Sequence, residues 1–177
     1  MKTLKLNLGC GKVIMKGWVN LDKFEHPGVD VIRNLETDRL PFADGSIDEI
    51  LADNVFEHIR DWHLNTWEEC SRVLKKGGIF TIIVPCGYDG NPLHVSEFFP
   101  NTIPYWVGPH PENRSLEVLD KEKRTFNVIE QTLTRWSSVP FAYYLKKYLP
   151  IPRDWFTGSK PRRFGKPHMV KWVLKKC

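Results

Sequence analysis

The stretch Leu4-Lys5-Leu6-Asn7-Leu8-Gly9-Cys10-Gly11-Lys12 constrains the fold of this chain more than any other. It reads as a buried strand running into a two-glycine turn. A second apolar stretch, Trp18-Val19-Asn20-Leu21, follows and ends in an acid, Asp22. Glycine lets the backbone come close to a ligand because no Cβ intervenes, and a carboxylate at the tip of the next strand can accept both hydroxyls of a ribose. The pairing predicts a nucleoside site, with Gly9, Cys10 and Gly11 in the turn and Asp22 on the ribose. Taken alone, a G-x-G is also a plain strand-ending turn, so the rest of the chain has to agree.

What the turn lacks narrows the nucleoside. A dinucleotide fingerprint, G-x-G-x-x-G, wants glycine at position 14 and an acid about 20 residues on. Here position 14 is Ile14, and Asp22 comes too early. A phosphate-gripping G-x-x-x-x-G-K-[ST] is broken by Gly11-Lys12-Val13 as well. A cofactor with a ribose and an amino-acid tail but no pyrophosphate fits better, and S-adenosylmethionine is the common one.

Further strands and turns follow in order. Val29-Asp30-Val31-Ile32 is a β-branched run, a candidate third strand ending in Arg33-Asn34-Leu35, where Asn34 and Leu35 can meet an adenine edge. Pro41 to Ser46 is turn chemistry. Ile47, Ile50 and Leu51 mark a fourth strand that delivers Asp53, Asn54 and the Glu57-His58 pair to its carboxyl end, where open parallel sheets bind ligands. The spacing of Leu64, Trp67, Ser71 and Leu74 predicts a helix over 62–76, stopped by Gly77-Gly78 as a C-cap. Ile79 to Val84 is a buried strand closed by Pro85. Strands alternating with helical stretches imply an α/β fold, a doubly wound and mostly parallel sheet. Between the glycine turn and the second strand only Val13 to Gly17 remain, so the first helix is expected to shrink to a turn or two.

These segments together resemble the class I S-adenosylmethionine-dependent methyltransferases, in particular small ones that open LNLGCG and follow with GWVNLD. The likeness continues through LPFADGSIDEI, NVFEHI and RVLKKGGIFTIIVP, in register over residues 4–85. The resemblance implies a Rossmann-like methyltransferase fold with S-adenosylmethionine as cofactor. It places Asn7, Gly9, Cys10, Gly11, Asp22, Asn34, Leu35, Asp53 and Asn54 around that cofactor, Asn7 toward its methionine tail. It also implies a closing antiparallel pair, His168 to Lys175 against Thr125 to Ile129. Two positions depart from the family pattern: Asn7 stands where an acid leads the motif, and Val13 where a third glycine follows. Pro85-Cys86 follows the fifth strand, not the fourth as in the cytosine-5 methyltransferases. The D/N-P-P-Y/F/W of base amino-methyltransferases is absent after the fourth strand, where Asn54-Val55-Phe56-Glu57 stands.

At 177 residues the chain suits one methyltransferase domain, with a cofactor-binding half at 1–86 and a basic, aromatic-rich acceptor-side half at 87–177. The four cysteines, Cys10, Cys70, Cys86 and Cys177, show no C-x-x-C spacing, so reduced thiols and no metal are expected. The absence of an apolar leader or an 18-residue apolar run leads to the expectation of a cytoplasmic protein, or one peripheral at a membrane.

Charge is uneven. Residues 121–177 hold 14 of the 26 Lys and Arg against 3 of the 21 Asp and Glu, or +11; the remainder holds 12 against 18, or −6. A field of this kind attracts anions, so RNA and an anionic membrane surface are the candidate partners of residues 121–177. Phe141, Tyr144, Leu145, Tyr148 and Leu149 recur at helical intervals, either as a membrane-interface face or as a helix packed on its own domain. Lys160, Arg162, Arg163 and Lys166 form a basic loop, either a phosphate grip or solvated.

The loop from Gly87 to His94 overhangs the fifth strand, and Phe98, Phe99, Tyr105 and Trp106 follow it, as a lid over a sulfonium or as a satellite core. Transfer of an already activated methyl asks mainly for alignment, which contributes about 7 to 11 kcal/mol. A hydroxyl acceptor must also lose a proton. His94 is the first candidate base and His58 the second, with Asp53 orienting the acceptor. The leading reading is methyl transfer to a hydroxyl of a small or carrier-linked acceptor, for example a saccharide. The alternatives are an RNA methyltransferase that uses the basic half, and a cofactor-binding scaffold without activity.

Overall fold

In the computed structural model, which describes residues 3–87, 91–107, 126–134 and 169–177, the apolar runs become strands. These are β1 (Lys5–Leu8), β2 (Val19–Asp22), β3 (Val31–Ile32), β4 (Ile47–Asp53), β5 (Leu74–Pro85), β6 (Phe126–Thr134) and β7 (Met169–Lys176). They form one sheet of order β3-β2-β1-β4-β5-β7-β6. The first five run parallel, and β7 is antiparallel to both β5 and β6. The Rossmann-like arrangement expected from the sequence is therefore present, including the closing pair, in which Phe126 lies opposite Lys176. The expected helix around residues 141–149 and the basic loop at 160–166 lie outside the described residues.

Burial follows the position of each strand. In central β1, Leu6, Asn7 and Leu8 are all buried, as a strand covered on both faces requires. Toward the antiparallel edge β7 alternates, with Val170, Trp172 and Leu174 inward. These meet an aromatic cluster built from Phe56, Trp62, Trp67, Phe80, Phe98 and Phe126. Phe98 and the partly buried Trp106 belong to this core, which settles their reading as satellite core and not as lid; Phe99 is exposed.

The first two connections are shorter than a helical crossover. Between β1 and β2 there is no helix, only turns closed by Val13 N–H to Cys10 O at 2.8 Å and Trp18 N–H to Met15 O at 3.2 Å. Two buried asparagines satisfy the loop backbone that a helix would have satisfied internally. Asn7 Nδ2 donates to Val13 O at 2.9 Å and to Asn20 Oδ1 at 3.1 Å, while Asn20 Oδ1 accepts the Met15 N–H at 2.9 Å.

The helix expected over 62–76 is confined to α1 (Asn65–Val73), and Gly77-Gly78 lie inside β5 instead of capping it. Pairing explains the difference. Leu74 already faces Ile47 of β4, and the ladder resumes with Ile79 opposite Glu49, so Lys75 to Gly78 bulge against one residue. Gly77 supplies the positive φ of +77° that the bulge uses. The helix end is capped from β7, where Lys176 Nζ donates to Ser71 O and Leu74 O at 2.5 and 2.6 Å. A second short helix, α2 (Thr102–Val107), packs against β6. Among the described residues no helix is long and apolar enough to cross a membrane.

One ion network ties α1 to the turn before β4. Arg72 donates to Glu69 at 2.6 and 2.7 Å, to Asp44 at 2.6 Å, and to the carbonyls of Phe42 and Leu40 at 2.8 and 3.0 Å. Arg72→Ala strips the donor from both carbonyls and from a half-buried carboxylate, and is expected to cost about 2–3 kcal/mol, or roughly 4–12 °C in Tm. The Arg72 hydrogen bond holds the Glu69 carboxyl below its usual range. A depressed carboxyl adds stability that is present above the ordinary glutamate range and is lost as pH falls through the lower, folded-state range. Glu69→Gln should therefore be less stable at neutral pH, and its stability should fall less steeply below about pH 4.3. Thermal melts across pH check both variants.

Candidate active site at the carboxyl edge

Strand register alone brings three of the predicted site residues into one row. Leu8 of β1 pairs with Leu21 of β2 and with Ala52 of β4, so the next residues, Asp22, Gly9 and Asp53, stand in one row at the carboxyl edge. Neighbouring strands are about 4.8 Å apart, which puts the two carboxylate-bearing positions about 10 Å apart with a side-chain-free residue between them.

The turn itself is held from Asp22. Gly9 and Gly11 both take positive φ, +56° and +50°. Asp22 Oδ2 accepts the Gly11 N–H at 2.7 Å and Oδ1 accepts the Phe24 N–H at 2.9 Å, fixing the carboxylate against the turn. Behind Gly9 stands Val55, whose Cγ2 would lie 2.6 Å from any Cβ added there, whereas a Cβ on Gly11 would meet nothing within 4 Å. The turn is thus packed against the protein at Gly9 and open at Gly11, the cradle a close-lying nucleoside needs. Asn7, below the turn, spends its amide on Val13 and Asn20. Burial, with the Asp22 charge adding to it, raises the Cys10 thiol above its usual range, so Cys10 is a small turn residue and no thiolate nucleophile.

On the β4 side, Asn54 adopts a left-handed φ of 55° and donates to Asp53 Oδ1 at 2.8 Å. The Asp53 side chain opens to solvent, but surrounding protein still desolvates its carboxyl and raises it above the usual range against the Asn54 hydrogen bond. After β3, Asn34 Oδ1 accepts the Glu36 N–H at 3.0 Å, and the buried Leu35 gives its carbonyl to Thr66 Oγ1 and Asn65 Nδ2, both at 2.9 Å. A cavity of about 230 Å³ beside α1, lined by Glu36, Ile59, Asp61, Leu64 and Asn65, shares no residue with the glycine turn. It is smaller than the roughly 300–1,000 Å³ of small-molecule sites.

The two predicted histidines come together, His58 at the end of a 3₁₀ turn after β4 and His94 in the loop after β5. Their rings meet edge to face with centroids 4.8 Å apart. The loop is pinned to the turn. Val95 and Ser96 N–H donate to Glu57 O at 2.8 and 3.1 Å, Ser96 Oγ to Ile59 O at 2.7 Å, and His58 Nδ1 lies 3.1 Å from Leu93 O.

Residues 15–82 match the family described as Methyltransferase domain. Residues 15–82 thus carry a methyltransferase domain, on the fold of the class I S-adenosylmethionine-dependent methyltransferases. Solved structures agree in fold. The methyltransferase complexed with the Haloferax volcanii Trm112 methyltransferase activator aligns with a TM-score of 0.56 at 18% identity, over 98% of this chain and 82% of that one. An S-adenosylmethionine-dependent methyltransferase from Archaeoglobus fulgidus gives 0.53 at 15% identity, over 98% and 86%. One from Mesorhizobium loti gives 0.51 at 11% identity, over 98% and 91%. No curated protein sequence matches the chain. S-adenosylmethionine is the methyl donor of that family.

Sequence reasoning missed three features of the site. Val55 as the wall behind Gly9 has no sequence signature. The Asn7–Asn20 pair is visible only once β1 and β2 are in register. Glu57, read merely as the neighbour of His58, is almost fully buried at 1% exposure.

Proposed function

We propose that this methyltransferase transfers the methyl group to a hydroxyl of a small or carrier-linked acceptor, with a saccharide as the leading class. The observation that carries the reading is the imidazole pair, His58 and His94, joined beyond the carboxyl ends of β4 and β5, the edge that also carries Asp22, Gly9 and Asp53. S-adenosylmethionine, when bound, supplies a sulfonium-activated methyl group. Asp22 accepts the ribose hydroxyls, the backbone of Gly9, Cys10 and Gly11 lies against the nucleoside, and Asn34 and Leu35 border the adenine. Asn7 positions the turn from below. Asp53 and Asn54 border the amino-acid end and orient the acceptor. His94 removes the acceptor proton, with His58 beside it as second base. The acceptor-side half, residues 87–177, completes the domain.

Methyl transfer from radiolabelled donor to a panel of free and carrier-linked saccharides tests this reading. His94→Ala is expected to lower kcat by about 10²–10⁴ with donor affinity unchanged, as loss of a general base does. Normal donor binding with no transfer defect in either histidine variant would favour the inactive scaffold. Methylated RNA, bound with steep salt dependence, would move the acceptor to nucleic acid and give the basic half its partner.

A further inference from the structure

The imidazole pair has a third member. Ligand atoms of Glu57, His58 and His94 all lie within 4.8 Å of one another, which among the described residues is the one convergence of three such groups. We propose that Glu57, His58 and His94 bind a divalent transition-metal ion, in departure from the metal-free expectation drawn from cysteine spacing.

Two nitrogens and one carboxylate oxygen are a donor set for zinc, iron, cobalt or nickel, since magnesium and calcium favour all-oxygen sites. The carbonyl of Leu93 can only accept, so His58 Nδ1 carries the proton and Nε2 presents its lone pair. Fixing a tautomer through a backbone carbonyl is how a metal-ligating histidine is held. Asn91 is oriented in turn, because its Oδ1 accepts the Leu93 N–H at 3.0 Å, and its Nδ2 then meets His94 Nε2 at 2.9 Å. The His94 ring is thereby held in place, and an ion ligated at Nε2 takes the place of the Asn91 amide there. Ligands of a single ion, each about 2.0–2.2 Å from it, stand roughly 3–3.5 Å apart. Side-chain rotation of about 1 Å closes the site, on a backbone that Val95, Ser96 and Glu57 already hold together.

Three protein ligands leave coordination positions for an acceptor oxygen. This role, unlike ion binding itself, rests on the hydroxyl reading above. The ion would polarise the hydroxyl and its proton would leave to water. The oxygen lone pair then forms the new bond to the methyl carbon as the sulfur–methyl bond breaks and its electron pair returns to sulfur. With the ion bound the two imidazoles serve as its ligands; in the ion-free chain they are the bases of the reading above.

Zinc and cobalt titrated into untagged, chelator-treated full chain test the site. One ion per chain is expected, with affinity at least about tenfold weaker in His58→Ala and in His94→Ala, while S-adenosylhomocysteine still binds. Should a variant not fold, diethyl pyrocarbonate on the unaltered protein gives the same answer: zinc should protect two of the six histidines. No ion binding, binding unchanged in both variants, or no protected histidine would overturn the site and leave the histidines as bases. Conversely, ion binding without hydroxyl methylation would strike the acceptor reading alone.

Discussion

Asp22→Ala is expected to bind S-adenosylhomocysteine at least about 100-fold more weakly than the unaltered protein. Asp22 is 7% exposed, and its carboxylate already accepts backbone N–H groups from Gly11 and Phe24, one on each oxygen. A carboxylate offers about four acceptor directions, so each oxygen keeps one for a ribose hydroxyl. Hydrogen bonds to a charged acceptor contribute roughly 1.5–3 kcal/mol each, and two of them amount to about 3 kcal/mol or more. At about 1.4 kcal/mol per factor of ten, that is the stated loss. Asp22→Asn retains one acceptor oxygen and should fall between the two. Calorimetric titration reads the affinities, and a thermal melt separates loss of the ribose contact from loosening of the turn. Unchanged affinity in Asp22→Ala would place the ribose elsewhere.

Gly9→Ala is expected to lower stability by about 2–5 kcal/mol, because two costs coincide. A non-glycine residue in the left-handed region costs about 1–2 kcal/mol, and the added methyl would stand 2.6 Å from Val55 Cγ2, an overpacking of about 1–3 kcal/mol. Gly11→Ala carries only the first cost, since nothing lies within 4 Å of its Cβ. The pair should therefore differ in Tm, with Gly9→Ala lower by roughly 2–12 °C. Val55→Ala combined with Gly9→Ala should restore part of the loss, a coupling that distant sites do not show. Equal melting of the two glycine variants would mean that Val55 does not wall the turn.

Much of this architecture was legible because local chemistry and sheet position agree. The glycine turn, Asp22 and the short crossover follow from residues within one stretch of chain, and register then brings Asp53 into the same row. The boundary of α1 was not legible, since Leu74 satisfies a helical period equally well and only its pairing with Ile47 assigns it to β5. Gly77-Gly78 likewise suits a helix cap or a bulge until the ladder is known. Phe98 could be placed over the cofactor or under the loop until Phe56, Trp62 and Trp172 were seen around it. The Glu57–His58–His94 convergence depends on a loop from the next strand folding back, which no spacing in the sequence encodes.

The central claim is that the carboxyl edge around Gly9, Gly11 and Asp22 binds an adenosyl cofactor without a pyrophosphate. Calorimetric titration of the purified chain with S-adenosylmethionine, S-adenosylhomocysteine and NAD tests it most directly. The account predicts that both adenosyl ligands bind at one site per chain, with micromolar Kd, and that NAD does not bind. Binding of NAD in place of the adenosyl ligands, or of none of the three, would contradict it.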